Sequence, residues 1–171
     1  MSREEIYEAT KRVYALYGAF FGAVAREVGA ERALALHAQA HEEQGLASGK
    51  LLKQKLGERP DIETLGSMLR ASNLSIGIDS QLTAADSSSA LFSNSQCPMY
   101  DGYRMGGLDD ETAEALCQRG APAKLGTMLT QLDPSIAYHL KHYRSRPDGP
   151  CEEEIIHVSS PDRDREGCHG R

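Results

Sequence analysis

Apolar residues in the first part of the chain recur at the spacing of a helix, and glycine or proline separates one repeat from the next. Ser2 is a suitable N-cap and Glu5 stands in the capping-box position, so a first helix is predicted to run to about Val28. A second helix is predicted over residues 31–55 and a short third one over residues 62–71. The apolar positions that define the first helix are Ile6, Val13, Leu16, Phe20, Val24 and Val28.

The period then changes from helical to alternating, which indicates strands. Leu74, Ile76 and Ile78 alternate with polar residues and predict a half-buried strand. A hairpin turn is predicted over residues 83–89, and a returning strand over residues 90–96.

The second half of the chain predicts two more helices and two more strands. The segment LDDETAEALCQRG has acids in its first turn and Gly120 at its end, which is typical of a helix. A further helix is predicted over residues 121–133, and alternation predicts strands over residues 135–145 and 151–159.

These elements predict an α+β fold in the order ααα-ββ-αα-ββ, with the N-terminal helices packed on a four-stranded antiparallel sheet. Residues 1–158 are predicted to form a single domain that binds a small molecule. Residues 159–171 are polar and charged, so we expect them to be disordered, together with Cys168.

Composition narrows the classes of function. The formal net charge of -6, without a long basic run, argues against a nucleic-acid partner or an anionic membrane. The apolar N-terminal segment is interrupted by glycine and flanked by acids, so it fits neither a signal peptide nor a membrane span. We therefore expect a cytoplasmic protein whose four cysteines are thiols or metal ligands.

The segment CPMYDG, residues 97–102, is predicted to be a turn that presents Cys97 at the end of a strand. Three interpretations of Cys97 stay open: a nucleophile whose reaction the turn amides assist, a metal ligand, or a packed thiol. Glu114 and Cys117 are three residues apart and share one helix face. With Cys97 and Cys151 they would make a tetrahedral set that zinc tolerates.

Other polar residues are candidates to line a pocket. His37 and His41 share one face of the second helix and are expected to contact substrate, as are Tyr100 and Arg104. Alternation along the third strand predicts that His142 points inward, where it would be the base for Cys97. The side chains that could hold a substrate carboxylate are Arg104, Arg144 and Arg146.

Three motifs of the second half resemble the C-terminal half of the L-2-amino-thiazoline-4-carboxylic acid hydrolase family. They are the CPMYDG segment, Glu114-x-x-Cys117, and the DGPC segment that ends at Cys151, and the similarity covers about residues 90–157. The family is also similar in layout to vinyl-reductase-type domains, which sense small ligands and often hold zinc through cysteines and a glutamate. Here Pro150 and a shorter spacing depart from the usual arrangement around Cys151.

The resemblance implies a hydrolase or ring-modifying enzyme that cleaves a C–N bond in a small carboxylated metabolite containing nitrogen or sulfur. The alternative is a non-catalytic sensor domain with a structural zinc site. A homodimer is also predicted, because the first helix carries too many large rings for one core-facing stripe. These rings are Tyr7, Tyr14, Tyr17, Phe20 and Phe21.

Overall fold

Three N-terminal helices form in the computed structural model, which describes residues 1–56, 59–144, 146 and 148–158. The predicted capping box starts the first helix, since the Ser2 hydroxyl accepts from the Glu5 amide and the Glu5 carboxylate accepts from the Ser2 amide. The predicted tail of residues 159–171, with Cys168, lies outside the described residues. The three helices are α1 (Arg3–Val28), α2 (Ala30–Leu56) and α3 (Ile62–Ser75).

The face of α1 that meets the core differs from the apolar stripe that defined this helix in the sequence. Tyr7, Gly18 and Phe21 are buried, whereas Val13, Leu16 and Phe20 are exposed. Tyr14 and Tyr17 turn toward the rest of the chain because they pack on Tyr103 of a later helix that the sequence did not predict.

The strand predicted around Leu74, Ile76 and Ile78 is wrong. Helix α3 continues to Ser75, although its buried stripe of Ile62, Leu65 and Leu69 ends about one and a half turns earlier. Leu74 therefore belongs to the helix, and the strand β1 begins only at Asp79.

Four antiparallel strands form one sheet in the order β1-β2-β4-β3. The predicted hairpin turn is shorter than residues 83–89, because residues 83–85 still pair in β1. The Asp86 carboxylate then closes the turn by accepting from the amides of Ser88 and Ser89. The strands are β1 (Asp79–Ala85), β2 (Ser89–Gln96), β3 (Ile136–His142) and β4 (Cys151–His157).

The segment predicted as a turn after Cys97 is a helix, α4 (Pro98–Met105). Its glycine allows close packing on α1 and does not shape a turn. A Cβ atom at Gly102 would lie 2.6 Å from the Lys11 carbonyl oxygen. No residue larger than glycine fits at this crossing of the two backbones.

The next helical stretch continues without a break from residue 110 to residue 130, so Gly120 does not end a helix as predicted. Gly120 is buried against α2. A larger residue does not fit there, because a Cβ atom would meet the ring of His37. The stretch consists of α5 (Asp110–Ala121), a π-helical segment (Pro122–Gly126) and α6 (Thr127–Thr130).

A bulge near the end of β3 overturns the predicted orientation of His142. Leu140 pairs with Glu153 but His142 pairs with Glu152, so one extra residue interrupts the register. A one-residue shift reverses which side chains face the core. His142 is therefore exposed, and Tyr143 is half-buried in its place.

The helices and the sheet bury two apolar clusters. One lies between α3, α6 and the sheet and includes Leu65, Leu129 and Ile155. The other joins α1, α2, α4 and α5 around Tyr103 and Leu116. None of the helices in the described part of the chain is both long and apolar enough to cross a bilayer. The α+β class with its four-stranded antiparallel sheet is confirmed, although one more helix than predicted precedes the last two strands.

Candidate functional site

A cavity of about 380 Å³ lies where the two apolar clusters meet, a volume within the range of small-molecule sites. Leu69 and Met128 contribute to its wall from one cluster, and Tyr103 and Leu116 from the other. Besides two tyrosines, its wall also contains four side chains able to carry a charge or react. These are His41, Cys117, Lys124 and Glu153.

Glu153 reaches the cavity from the inner face of β4, which it shares with the fully buried Ile155. Burial raises the pKa of its carboxyl to about 7, because the charged form loses water. The side chains of Tyr138, Asn94 and Asn73 act in the opposite direction but do not cancel the effect. Near neutral pH this carboxyl is poised to take up or release a proton.

His41 and Lys124 form a second polar part of the wall. Burial lowers the pKa of both side chains, and the nearby Lys124 charge lowers that of His41 further, while the backbone hydrogen bond to His37 opposes this. The His41 Nδ1–H donates to the His37 carbonyl oxygen at 3.0 Å, which leaves Nε2 as an acceptor. A neutral imidazole and an ammonium group therefore share this side of the cavity.

His37 lies behind His41 and supports it. Its Nε2–H donates to the Leu116 carbonyl oxygen at 2.9 Å, so Nδ1 accepts from the Tyr17 hydroxyl at 2.6 Å. Burial and the proximity of His41 lower the pKa of His37 to about 4, against the opposing effect of the Leu116 carbonyl. His37 is thus a neutral, fixed ring that positions α2 against α5.

Cys97 occupies the N-cap position of α4, but it is not activated as a nucleophile. Burial raises the pKa of its thiol to about 11, although the amides of Tyr100 and Met99 favour the thiolate. Burial also raises the pKa of Cys117 well above its usual value, and the nearby thiols of Cys97 and Cys151 add to this effect. Both thiols stay protonated near neutral pH.

Three of the four residues predicted to bind zinc come near one another. Cys97, Cys117 and Cys151 each affect the electrostatics of another member, but Glu114 accepts a hydrogen bond from Gln118 on the outer side of α5. Among the described residues, no three cysteine, histidine, aspartate or glutamate side chains converge closely enough to hold a metal ion. Zinc binding stays a prediction that this arrangement of donors does not support.

Tyr100 and Arg104 meet at one carboxylate outside the cavity. The Tyr100 hydroxyl donates to Asp110 at 2.7 Å, and Arg104 forms an ion pair with Asp110 at 3.2 Å and donates to the Leu108 carbonyl oxygen. These contacts join α4 to α5. Neither side chain belongs to the cavity wall, so their predicted contact with substrate is unsupported.

The remaining predicted residues lie elsewhere. Arg144 is buried with its guanidinium 4.6 Å from the centre of the Tyr100 ring and within hydrogen-bonding reach of Cys151. Arg146 is exposed and paired with Asp148 at 3.1 Å. His142 lies on the outer face of β3, away from the inner position that would let it act as a base for Cys97.

Sequence reasoning missed Glu153 and Lys124. A signal for Glu153 was present, since alternation along CEEEIIH places it on the same face as the apolar Ile155. No comparable signal marked Lys124, because its direction depends on the π-helical segment.

Comparison with known proteins adds no family to this picture. No protein-family model matches the chain, and no curated protein matches it significantly. The site must therefore be interpreted from its own geometry.

Proposed function

We propose that the chain is a hydrolase that cleaves a C–N bond in a small carboxylated metabolite, with Glu153 as the general base. The observation that carries this proposal is a carboxyl with a pKa of about 7 in the wall of a cavity large enough for such a ligand. The resemblance to aminothiazoline-carboxylate hydrolases supports the choice of reaction.

The reaction needs only water and a group that moves a proton. Glu153 takes one proton from water as the water oxygen bonds to the amidine-like carbon, and it passes that proton to the ring nitrogen. The hydroxyl proton of the resulting adduct then moves through the same carboxyl to this nitrogen as the C–N bond breaks and the carbonyl forms. One water is consumed and the carboxylate is regenerated. Since Cys97 and Cys117 stay protonated, direct attack by water fits this site better than attack by a thiolate.

The test uses 2-amino-thiazoline-4-carboxylate and follows the gain in mass of one water. Glu153→Gln should lower kcat about a hundredfold or more, because an amide cannot accept the proton. Glu152→Gln is the matched control, since Glu152 lies on the same strand but is exposed. Equal activity of the Glu153→Gln and wild-type proteins would contradict the role of Glu153.

A second candidate is a non-catalytic domain that binds a small molecule. The mainly apolar wall of the cavity favours it, because such a wall can bind a ligand without any catalytic step. Saturable binding of 2-amino-thiazoline-4-carboxylate without any product would support this candidate over the hydrolase.

A further inference from the structure

Lys124 is a half-buried cation in a mainly apolar wall. In the part of the chain that the structure describes, its ammonium forms neither a hydrogen bond nor an ion pair. Burial lowers the pKa of this ammonium. A charge held away from water is costly unless an opposite charge accompanies it. An anion bound beside Lys124 would therefore offset the free-energy cost of burying its charge.

The backbone holds Lys124 in this position. It lies in the middle of the π-helical segment, a form of helix that is rare and frequent at functional sites. The Lys124 carbonyl oxygen packs on Gly45 of α2, where a Cβ atom would collide with it. This contact holds the π-helical segment close against α2. A shift of the backbone that would move the Lys124 side chain out of the cavity wall is therefore opposed.

His41 lies in the same cavity wall and could bind the same anion. Burial has the larger effect in lowering the pKa of His41, and the charge of Lys124 lowers it further. An anion between them would be stabilised by the ammonium and by a protonated imidazole.

The rest of the wall is suited to a hydrocarbon body. Methionine adapts to ligands of different shape, and the aliphatic side chains offer no hydrogen bonds. The cavity is therefore apolar over most of its surface, with the Lys124 ammonium at one place and the Glu153 carboxyl at another. Among its apolar residues are Leu52, Met68, Leu69, Met99, Leu116 and Met128.

We propose that this cavity binds an amphipathic carboxylate, with the carboxylate held by Lys124 and His41 and the apolar body between α2, α3 and α5. The inference rests on the proposed function only in placing the substrate in the same cavity. It assigns the anion-binding role to Lys124 in place of the arginines that the sequence indicated.

The test measures equilibrium binding of three probes with the same chain length, decanoate, decanol and decylamine, to the full chain at neutral pH. Decanoate should bind about tenfold more tightly than decanol, because a charge-assisted hydrogen bond is added. Lys124→Met should remove this preference and leave the affinity for decanol unchanged. Lys124→Arg should retain the preference, and Lys50→Met, at an exposed lysine of α2, should bind all three probes as the wild type does.

Three results would overturn the proposal: equal affinity for decanoate and decanol, tightest binding of decylamine, or no binding of decanoate. Retention of the preference in a folded Lys124→Met protein would also contradict it. None of these measurements depends on turnover. If the Glu153→Gln protein is as active as the wild type, the chain can still bind decanoate through Lys124. Each proposal can therefore be contradicted without the other.

Discussion

The Tyr17 hydroxyl donates a hydrogen bond to His37 Nδ1 at 2.6 Å and thereby ties α1 to α2. Because the other ring nitrogen donates to a carbonyl oxygen, a second proton on His37 would occupy Nδ1, which could then no longer accept from the Tyr17 hydroxyl. The pair is a local source of acid sensitivity.

We predict that the stability which neutral His37 contributes to the fold decreases as the pH falls. Its pKa is about 4 in the folded chain and near 6.5 when unfolded, so the unfolded state binds more protons between these values. The stabilisation is complete above about pH 6.5 and is lost as the pH falls toward 4. After allowance for screening, the stability difference between the wild type and His37→Gln should fall by about 2 kcal/mol across this window.

Urea unfolding at several pH values measures this difference. The carboxylates with lowered pKa, such as Asp61 and Asp133, are present in both proteins, so their contribution cancels. Parallel stability curves for the two proteins would contradict the prediction.

Glu153 should have the opposite pH dependence. Its folded pKa of about 7 lies above the usual value of 4.5, so its contribution is complete below about pH 4.5 and is lost as the pH rises through 7. Relative to the wild type, Glu153→Gln should gain about 3 kcal/mol of unfolding free energy between these limits. Denaturant unfolding at acidic and alkaline pH checks this, with the exposed Glu152→Gln expected to show little change.

Substitution of Gly102 should separate α1 from α4. A Cβ atom would lie 2.6 Å from the Lys11 carbonyl oxygen, so we expect Gly102→Ala to cost about 1–3 kcal/mol through overpacking. Gly126→Ala is the control, because no atom lies within 4 Å of its Cβ position and alanine favours a helix. Thermal denaturation that ranks the two variants in the reverse order would contradict this packing.

Cys97 should react slowly with iodoacetamide in the folded protein. Its pKa of about 11 leaves little thiolate at pH 8, and burial limits access to the sulfur. Peptide mapping after brief alkylation should find Cys97 unmodified until urea is added. Fast modification in the native state would restore Cys97 as a nucleophile.

The exposed stripe on α1 is expected to pair with a second copy of the chain. Val13, Leu16 and Phe20 are 65%, 74% and 63% exposed and follow heptad spacing along the helix. Analytical ultracentrifugation should show a dimer that Leu16→Glu converts to a monomer. Met105→Glu is the control, since Met105 is 64% exposed but lies on α4. A wild-type mass of 18.7 kDa at micromolar concentration would rule out the dimer.

Local sequence patterns specify most of the secondary structure. The capping box at Ser2, the helical stripe of α3 and the alternation of β2 and β4 are local patterns, and each formed close to its predicted place. Local patterns predict elements because backbone hydrogen bonds and side-chain spacing act over a few residues. The same patterns placed His37 and His41 on one helix face.

Tertiary structure decided which side chains share the cavity. The bulge before His142 turned it outward, and the π-helical segment carries Lys124 into the same cavity wall as His41 and Glu153. The sequence did not show the helix at residues 98–105, because its glycine, Gly102, resembles a turn residue until α1 packs on it. These outcomes depend on contacts between residues far apart in the chain, where packing overrides local preference.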